Sequence, residues 1–137
     1  MAIFLWNMAG RPSANLLSPS QFSDISAGDA GYPAIAWMAQ NHIAFGEADG
    51  TFGVDKLVTR KQMAQFLYRL DGSPSVTLPA NSPFSDVNPT DTGYKAIVWL
   101  SSQGITVGYA NGTFRPDTDI SRKHMAFFLE KFYNYWD

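Results

Sequence analysis

Two pairs of basic residues begin two similar helical segments of this sequence. Arg60-Lys61 follows Thr59 and Arg122-Lys123 follows Ser121, so a hydroxyl residue of the type that caps helices precedes each pair. The helix dipole favours Asp or Glu in the first turn and disfavours cations there. Helix stability therefore does not explain the two pairs.

Anion binding is one function that these pairs predict. The amides of a helix N-terminus attract anions, and an arginine can hold a carboxylate through two parallel hydrogen bonds. The alternative is structural: each arginine pairs with an acidic residue of its own chain and holds a loop. The acidic candidates for that pairing are Asp55, Asp117 and Asp119.

The basic pairs belong to an internal repeat with a period of 62 residues. Met1-Ala2-x-Phe4-Leu5 recurs as Met63-Ala64-x-Phe66-Leu67 and again as Met125-Ala126-x-Phe128-Leu129. At the same spacing, Phe22-Ser23-Asp24 matches Phe84-Ser85-Asp86. The chain is therefore built from copies of one supersecondary unit.

The matches define two full repeats. The first repeat spans residues 22–70 and the second repeat spans residues 84–132, whereas residues 1–10 correspond to the last helix of a truncated repeat. The connectors 11–21 and 71–83 are rich in Ser and Pro and are predicted to be loops. Because Met1 lies inside a repeated motif, we expect either that the natural protein begins upstream of it or that the gene itself is truncated.

Each full repeat is predicted to contain two helices joined by a turn-rich loop. Hydrophobic spacing places these helices at about residues 32–41, 59–70, 94–103 and 121–133. Thr59 followed by Gln62 indicates a capping box, and Met63, Phe66, Leu67 and Leu70 are predicted to be the buried stripe of that helix. A single helix pair cannot bury its own apolar face. We therefore predict one all-α domain over residues 1–137, with tandem helical repeats around a pseudo-threefold central helix bundle.

Composition excludes several classes of protein. The net charge is only −2 and no basic stripe is present, so no nucleic-acid partner is expected. No apolar run is long enough to cross a bilayer, and the apolar N-terminus is short and lacks the basic leader of a signal peptide. The absence of cysteine removes disulfides and cysteine-based zinc sites.

Neither a metal site nor an active site is expected. An EF-hand requires Glu at position 12, and counting from Asp49 that position is occupied by Arg60, a cation. The two histidines do not correspond between repeats, because His42 matches Gly104 and His124 matches Gln62. No spacing suggests a nucleophile and its base, so no enzyme activity and no cofactor are predicted.

A series of motifs in each repeat resembles the S-layer homology (SLH) family. In the second repeat these motifs are Phe84-Ser85-Asp86-Val87, Trp99-Leu100, Gly104-Ile105, Gly108–Pro116 (Gly-Tyr-Ala-Asn-Gly-Thr-Phe-Arg-Pro) and Ile120-Ser121-Arg122. The resemblance covers nearly the whole chain. It implies a three-lobed helical spindle on the outside of a bacterial cell wall. It also implies non-covalent binding to a secondary cell-wall polysaccharide or peptidoglycan-linked glycan, often through a pyruvate-ketal sugar.

The family's key arginine begins the second helix of a repeat, which is Arg60 or Arg122 here. The family commonly has Thr-Arg-Ala-Glu at that helix start, and both acidic positions are lost in this chain, at Gln62 and at His124. The first repeat also has Gly46-Glu47 where Gly-Tyr is usual. We therefore place the better site at Arg122, Lys123 and the loop 108–116, and a weaker one at Arg60 and Lys61.

The loops supply the remaining candidate ligand-binding residues. Gly50-Thr51 and Gly112-Thr113 either let backbone approach a sugar or simply form tight turns that need glycine. Tyr109 is a loop aromatic and is the better candidate for contact with a sugar. Trp37 and Trp99 lie in apolar helical segments and are predicted to pack in the core.

Two functions remain open from the sequence. The first is a non-catalytic module that anchors a protein to the cell surface by binding an anionic polysaccharide. The second is a structural module in which another chain completes the truncated repeat, giving an oligomer without polysaccharide binding. A minor third interpretation makes the chain the tail of an exported hydrolase whose catalytic part lies elsewhere.

Overall fold

The computed structural model describes residues 1–17 and 20–136. Its helices are α1 (Ala2–Met8), α2 (Tyr32–Gln40), α3 (Arg60–Leu70), α4 (Tyr94–Ser102) and α5 (Arg122–Trp136). Turns join the helices, and in the described residues the only β pairing is an isolated bridge between Thr59 and Asp119. The all-α fold class is confirmed. None of these helices is long and apolar enough to cross a membrane.

The chain divides into two compact units, the N-terminal unit Met1–Lys56 and the C-terminal unit Leu57–Asp137. Helices α1 and α2 pack together in the N-terminal unit, and α3 packs on α4 in the C-terminal unit. The boundary does not follow the repeats, because α3 belongs to the first repeat in sequence but lies in the unit that contains the second. The single domain and the pseudo-threefold bundle stay predictions.

The first helix of each repeat is buried almost all round. In α4 every residue from Ala96 to Leu100 is buried, and Trp99 is only 1% exposed. Trp99 packs against the rings of Tyr68, Phe132 and Tyr135, whose centroids lie at 5.5, 6.4 and 5.5 Å. The prediction that Trp99 is a core residue is confirmed. The Tyr135 contact comes from beyond residue 133, where the predicted helix ended.

Helix α3 begins as the sequence predicts. The side chain of Thr59 accepts a hydrogen bond from the Gln62 amide at 3.1 Å, and Gln62 Oε1 accepts one from the Thr59 amide at 2.9 Å. The capping box is thereby confirmed. The predicted buried stripe is only partly correct, because Met63 and Leu67 are fully buried, whereas Phe66 and Leu70 are half-buried.

An aspartate holds the turn-rich loop of each repeat. Asp86 accepts hydrogen bonds from the amides of Phe114 and Arg115, both at 2.8 Å. In the N-terminal unit, Asp24 accepts in the same way from the amides of Phe52, Gly53 and Val54 at 2.7, 2.8 and 3.0 Å. The repeated Phe-Ser-Asp motif is therefore a loop anchor. Carboxylates bind several amides more strongly than neutral acceptors do.

A glycine lets each loop fold back onto the phenylalanine of that motif. Gly108 has φ +70°, and a Cβ added there would lie 2.5 Å from Phe84 Cε1 and 2.7 Å from the Thr113 carbonyl oxygen. Gly112 in the same loop has φ +83°, but a Cβ added there would meet nothing within 4 Å. Gly108 is required both because its φ is positive and because a side chain there would clash. Gly112 is required only because its φ is positive.

Gly108→Ala and Gly112→Ala form a matched pair of variants. Gly112→Ala is expected to cost about 1 kcal/mol, the penalty for a side chain in the left-handed region. Gly108→Ala adds overpacking to that penalty and is expected to cost about 3 kcal/mol. Urea denaturation followed by circular dichroism measures both. Equal losses for the two variants would contradict the close packing of Phe84 on Gly108.

The Asp24 carboxylate gives the N-terminal unit an acid-sensitive loop. Hydrogen bonds from the loop amides, that of Phe52 first, lower the pKa of Asp24 from 3.8. The unfolded chain therefore takes up this proton at a higher pH than the folded protein. The stabilisation is present above pH 3.8 and is lost as the pH falls through the lowered pKa of Asp24.

NMR titration of the Asp24 carboxyl carbon and of the Phe52 and Gly53 amides measures this effect. Both signals are expected to move together, with a midpoint below the ordinary Asp value. Asp24→Asn keeps an acceptor oxygen and removes the titration, so its amide shifts should stay constant over the same acid range. A midpoint at or above the ordinary value would show that the loop does not depend on the ionised carboxylate.

Candidate functional site

A cavity of about 300 Å³ lies in the C-terminal unit beside the buried side chain of Arg60. Its walls come from the start of α3, the loop after α4 and the first two turns of α5. The lining residues are Arg60, Thr106, Val107, Gly108, Tyr109, Lys123, His124, Phe127 and Phe128. The cavity therefore combines cationic groups with an apolar and aromatic wall, as ligand sites generally do.

The guanidinium of Arg60 is held by groups that do not neutralise it. Its Nε donates to the Phe114 carbonyl oxygen at 2.7 Å, and its Cζ lies over the rings of Tyr109, Phe114 and Phe128 at 4.8, 4.8 and 5.2 Å. Cation–π contacts of this kind attract by about 0.5–2 kcal/mol each. They orient the cation, but its charge is not cancelled.

Arg60 is a buried cation without a carboxylate partner in the described part of the chain. It is 4% exposed, and the ion pairs found there join Lys56 to Glu47 and Lys61 to Asp117. Burial lowers the pKa of Arg60 from its usual value, and the charge of Arg115 adds to this, whereas Tyr109 and Asp86 oppose it. An arginine nevertheless stays protonated in proteins. The described residues show no ion pair of Arg60 with Asp55, Asp117 or Asp119, but Arg60 does hold a loop of its own chain, through the Phe114 carbonyl oxygen.

The amides at the start of α3 do not face an open site. The Arg60 and Lys61 amides donate to the carbonyl oxygens of Thr118 and Pro116, both at 2.9 Å. The next amide, that of Gln62, is taken by the Thr59 cap. The predicted anion site at free helix amides is therefore wrong for α3. What faces the cavity is the Arg60 guanidinium.

Tyr109 lies in the cavity wall and contacts two guanidinium groups. The Arg115 Cζ is 3.7 Å from the centroid of the Tyr109 ring, and Arg60 lies over the same ring at 4.8 Å. His124 approaches the ring edge-on, with centroids 6.0 Å apart. The Tyr109 amide donates to the Thr113 carbonyl oxygen at 2.8 Å, which fixes the loop.

The other candidate residues of the C-terminal unit divide into three groups. Lys123 lines the cavity. Lys61 pairs with Asp117 at 3.5 Å and lines a separate, smaller cavity. Gly112 and Thr113 form a turn in which the Thr113 hydroxyl donates to Asn111 Oδ1 at 2.6 Å. They shape the loop that carries Tyr109 and do not line the cavity.

Arg122 is exposed and does not line the cavity. Arg122 begins α5 as predicted. Lys123, however, lines the same cavity as Arg60, and Arg122 does not. Of the two arginines that the repeat makes equivalent, only Arg60 has a loop folded around its side chain in the described residues.

The equivalent loop of the N-terminal unit has different chemistry. Glu47 stands at the position of Tyr109 and pairs with Lys56 at 3.5 Å. Thr51 donates to Asp49 Oδ1 through its amide and its hydroxyl at 3.0 and 2.7 Å, so Gly50 and Thr51 form the same kind of turn as Gly112 and Thr113. An acidic side chain in place of an aromatic one disfavours an anion there.

Several cavity residues were not identified from the sequence as ligand-binding. Phe127 and Phe128 face the cavity from α5, and Phe114 packs against the Arg60 guanidinium. The sequence assigns no ligand role to His124, which has no counterpart histidine in the first repeat, but its imidazole contacts Arg60. The sequence does contain a pattern that indicates this wall. Lys123 and His124 lie in the first turn of α5, and the aromatic pair Phe127-Phe128 lies about one turn later in the same helix.

The fold and the cavity define a helical repeat module with a cationic, aromatic cavity and no metal cluster among its described residues. The S-layer homology domain family matches this chain at residues 21–64 and 83–126, which is more than half of its length. The chain belongs to that family.

Three known proteins are similar in sequence to this chain. Cell surface glycoprotein 1 of Acetivibrio thermocellus is 37% identical over 59% of this chain, and a cell surface protein of Thermoanaerobacter kivui is 33% identical over 72% of it. An endoglucanase of a Bacillus species is 28% identical over 98% of this chain. The matched parts are 4%, 13% and 14% of those proteins, so the chain spans a small fraction of each relative.

Proposed function

We propose that this protein is a non-catalytic anchoring module that attaches to the bacterial cell surface by binding an anionic, pyruvylated secondary cell-wall polysaccharide. The ligand-binding site is the cavity beside Arg60, with Lys123 and Tyr109 as partners. Membership of the SLH family and the cell-surface proteins among its relatives support this function. The endoglucanase match covers 14% of that enzyme and is consistent with a shared anchoring region.

The buried charge of Arg60 is the observation on which the proposal depends. A buried charge is costly unless an opposite charge or several hydrogen bonds compensate it. Arg60 Nε donates to one carbonyl oxygen and Nη1 contacts His124 Nδ1, and the guanidinium lies beside a cavity large enough for a sugar residue. A carboxylate that enters this cavity supplies the missing opposite charge and accepts two parallel hydrogen bonds.

The apolar wall of the cavity favours a carboxylate carried on a sugar over a small inorganic anion. Val107 is 80% exposed and Phe127 is 48% exposed, so both present apolar surface to an occupant. A pyruvate ketal has one carboxylate and one methyl group on the same carbon. Its carboxylate suits Arg60 and Lys123, and its methyl group suits Val107 and Phe127.

Arg60→Met and Arg122→Met test which arginine binds the ligand. Methionine removes the charge and keeps most of the volume, so the fold of Arg60→Met is expected to survive. Arg60→Met is expected to lose about 2 kcal/mol of binding free energy or more, about thirtyfold in affinity, because a buried charge pair is broken. Arg122→Met is expected to change affinity less than about threefold, as rim charges do.

Isothermal titration calorimetry with purified secondary cell-wall polysaccharide measures these affinities. The control ligand is the same polymer after mild-acid removal of its pyruvyl groups, which should bind weakly to every variant. Tyr109→Glu introduces the residue of the first repeat and should also weaken binding, and it does not alter the buried position 60. Normal binding by Arg60→Met together with loss in Arg122→Met would move the site to the exposed end of α5.

Exposed apolar side chains favour a second function, a structural module that another chain completes. In α1, Ile3 and Phe4 are 46% and 52% exposed, and in α5 Tyr133 and Trp136 are 51% and 41% exposed. Sedimentation equilibrium separates the two functions. A mass that rises with protein concentration, without any thermal stabilisation by the polysaccharide, would support assembly and oppose anchoring.

A further inference from the structure

We propose that His124 is a proton-linked binding residue of the Arg60 cavity, which takes up a proton when an anionic ligand is bound, so that the ligand binds more tightly as the pH falls. This inference rests on the proposed function, because it concerns the same cavity. It adds a second ligand-facing group that changes charge near neutral pH.

The imidazole of His124 is placed to contact an occupant of the cavity. The His124 amide is fixed by Ser121 Oγ at 3.1 Å, its ring lines the cavity, and Nδ1 lies 3.5 Å from Arg60 Nη1. Gln62 occupies the equivalent position in α3, but its side chain turns back to the Thr59 amide. The His124 side chain is instead directed towards Arg60.

Without a ligand, the surroundings of His124 favour the neutral imidazole. A guanidinium can only donate, so the contact with Arg60 requires an unprotonated Nδ1. Burial lowers the pKa of His124 from 6.5, and the charges of Arg60 and Lys123 lower it further. The other groups near the His124 imidazole are the Tyr109 ring and Arg115, whose guanidinium contacts that ring. No carboxylate among the described residues contacts the imidazole.

An anion in the cavity reverses this preference. A carboxylate that accepts from Arg60 offsets the positive charge facing the imidazole, and an opposite charge within about 4–6 Å raises the pKa of a histidine. Protonated His124 then donates a further hydrogen bond to the ligand. Ligand and proton binding are thus linked, and each strengthens the other by the same factor.

The expected pH dependence follows from the direction of these shifts. Affinity should be constant well above the pKa of His124 in the complex and should rise as the pH falls through it. The rise should stop below the lower pKa of His124 in the free protein. Each unit of difference between the two values gives about a tenfold increase in affinity.

The experiment compares the wild-type protein, His124→Gln and His42→Gln in titrations with purified pyruvylated polysaccharide between pH 8 and pH 5. The wild type and His42→Gln are expected to gain about tenfold in affinity across this range. His124→Gln, which carries the residue of the first repeat, is expected to show a nearly constant affinity. In NMR titrations, the pKa of His124 should be higher with the polysaccharide than without it.

The outcomes distinguish this inference from the function on which it rests. Binding with the same pH profile in His124→Gln as in the wild type, or a His124 pKa that the polysaccharide does not raise, overturns the role of His124 and leaves anchoring intact. No binding by the wild-type protein at any pH overturns both. A flat profile in His124→Gln alone, with a raised His124 pKa in the wild-type complex, supports the inference.

Discussion

The contact between the start of α3 and the loop of the second repeat joins the two repeats within the C-terminal unit. The Arg60 Nε–Phe114 hydrogen bond, the amide bonds from Arg60 and Lys61 to the loop, and the Thr59–Asp119 bridge all join the start of α3 to residues 114–119. They satisfy the amides of the first helical turn, which otherwise need water or a cap. The same contacts leave a guanidinium buried beside a cavity, so one set of interactions both joins the elements of the unit and places Arg60 at the proposed binding site.

These contacts also explain why the compact units do not follow the repeats. Helix α3 is the last helix of the first repeat, but the carbonyl oxygens that accept from its Arg60 and Lys61 amides lie in the second repeat. The division therefore falls before α3, between Lys56 and Leu57. In a tandem repeat, contacts between neighbouring copies add to the stability of each copy.

The two loops show how one scaffold carries different chemistry. Asp24 and Asp86 hold the loop amides in the same way, so the backbone framework is shared. The side chains that this framework presents are different, because Glu47 stands where Tyr109 stands in the second repeat. The two loops therefore share one way of anchoring their backbone and differ in the side chains that they expose.

Much of the fold could be predicted from the sequence. Self-similarity gave the repeats, hydrophobic spacing gave each helix, and Thr59 with Gln62 gave the capping box. The errors lie where packing overrides a local pattern. Helix α5 continues to Trp136, and its Tyr135 ring packs on Trp99. In α3, Phe66 and Leu70 are only half-buried, although they share the apolar stripe of Met63 and Leu67. The hydrophobic spacing within one helix predicts neither the end of α5 nor the partial exposure of Phe66 and Leu70.

By itself, the sequence determined the all-α class, the repeat and the presence of unexplained cations at two helix starts. Only the tertiary structure decided which arginine is buried beside a cavity, because both arginines follow a hydroxyl residue and precede a lysine at a helix start. Arg60 and Arg122 differ in what folds around them. The loop that surrounds the Arg60 side chain comes from a distant part of the chain. The electrostatic environment of a side chain depends on such tertiary neighbours and not on its own helix.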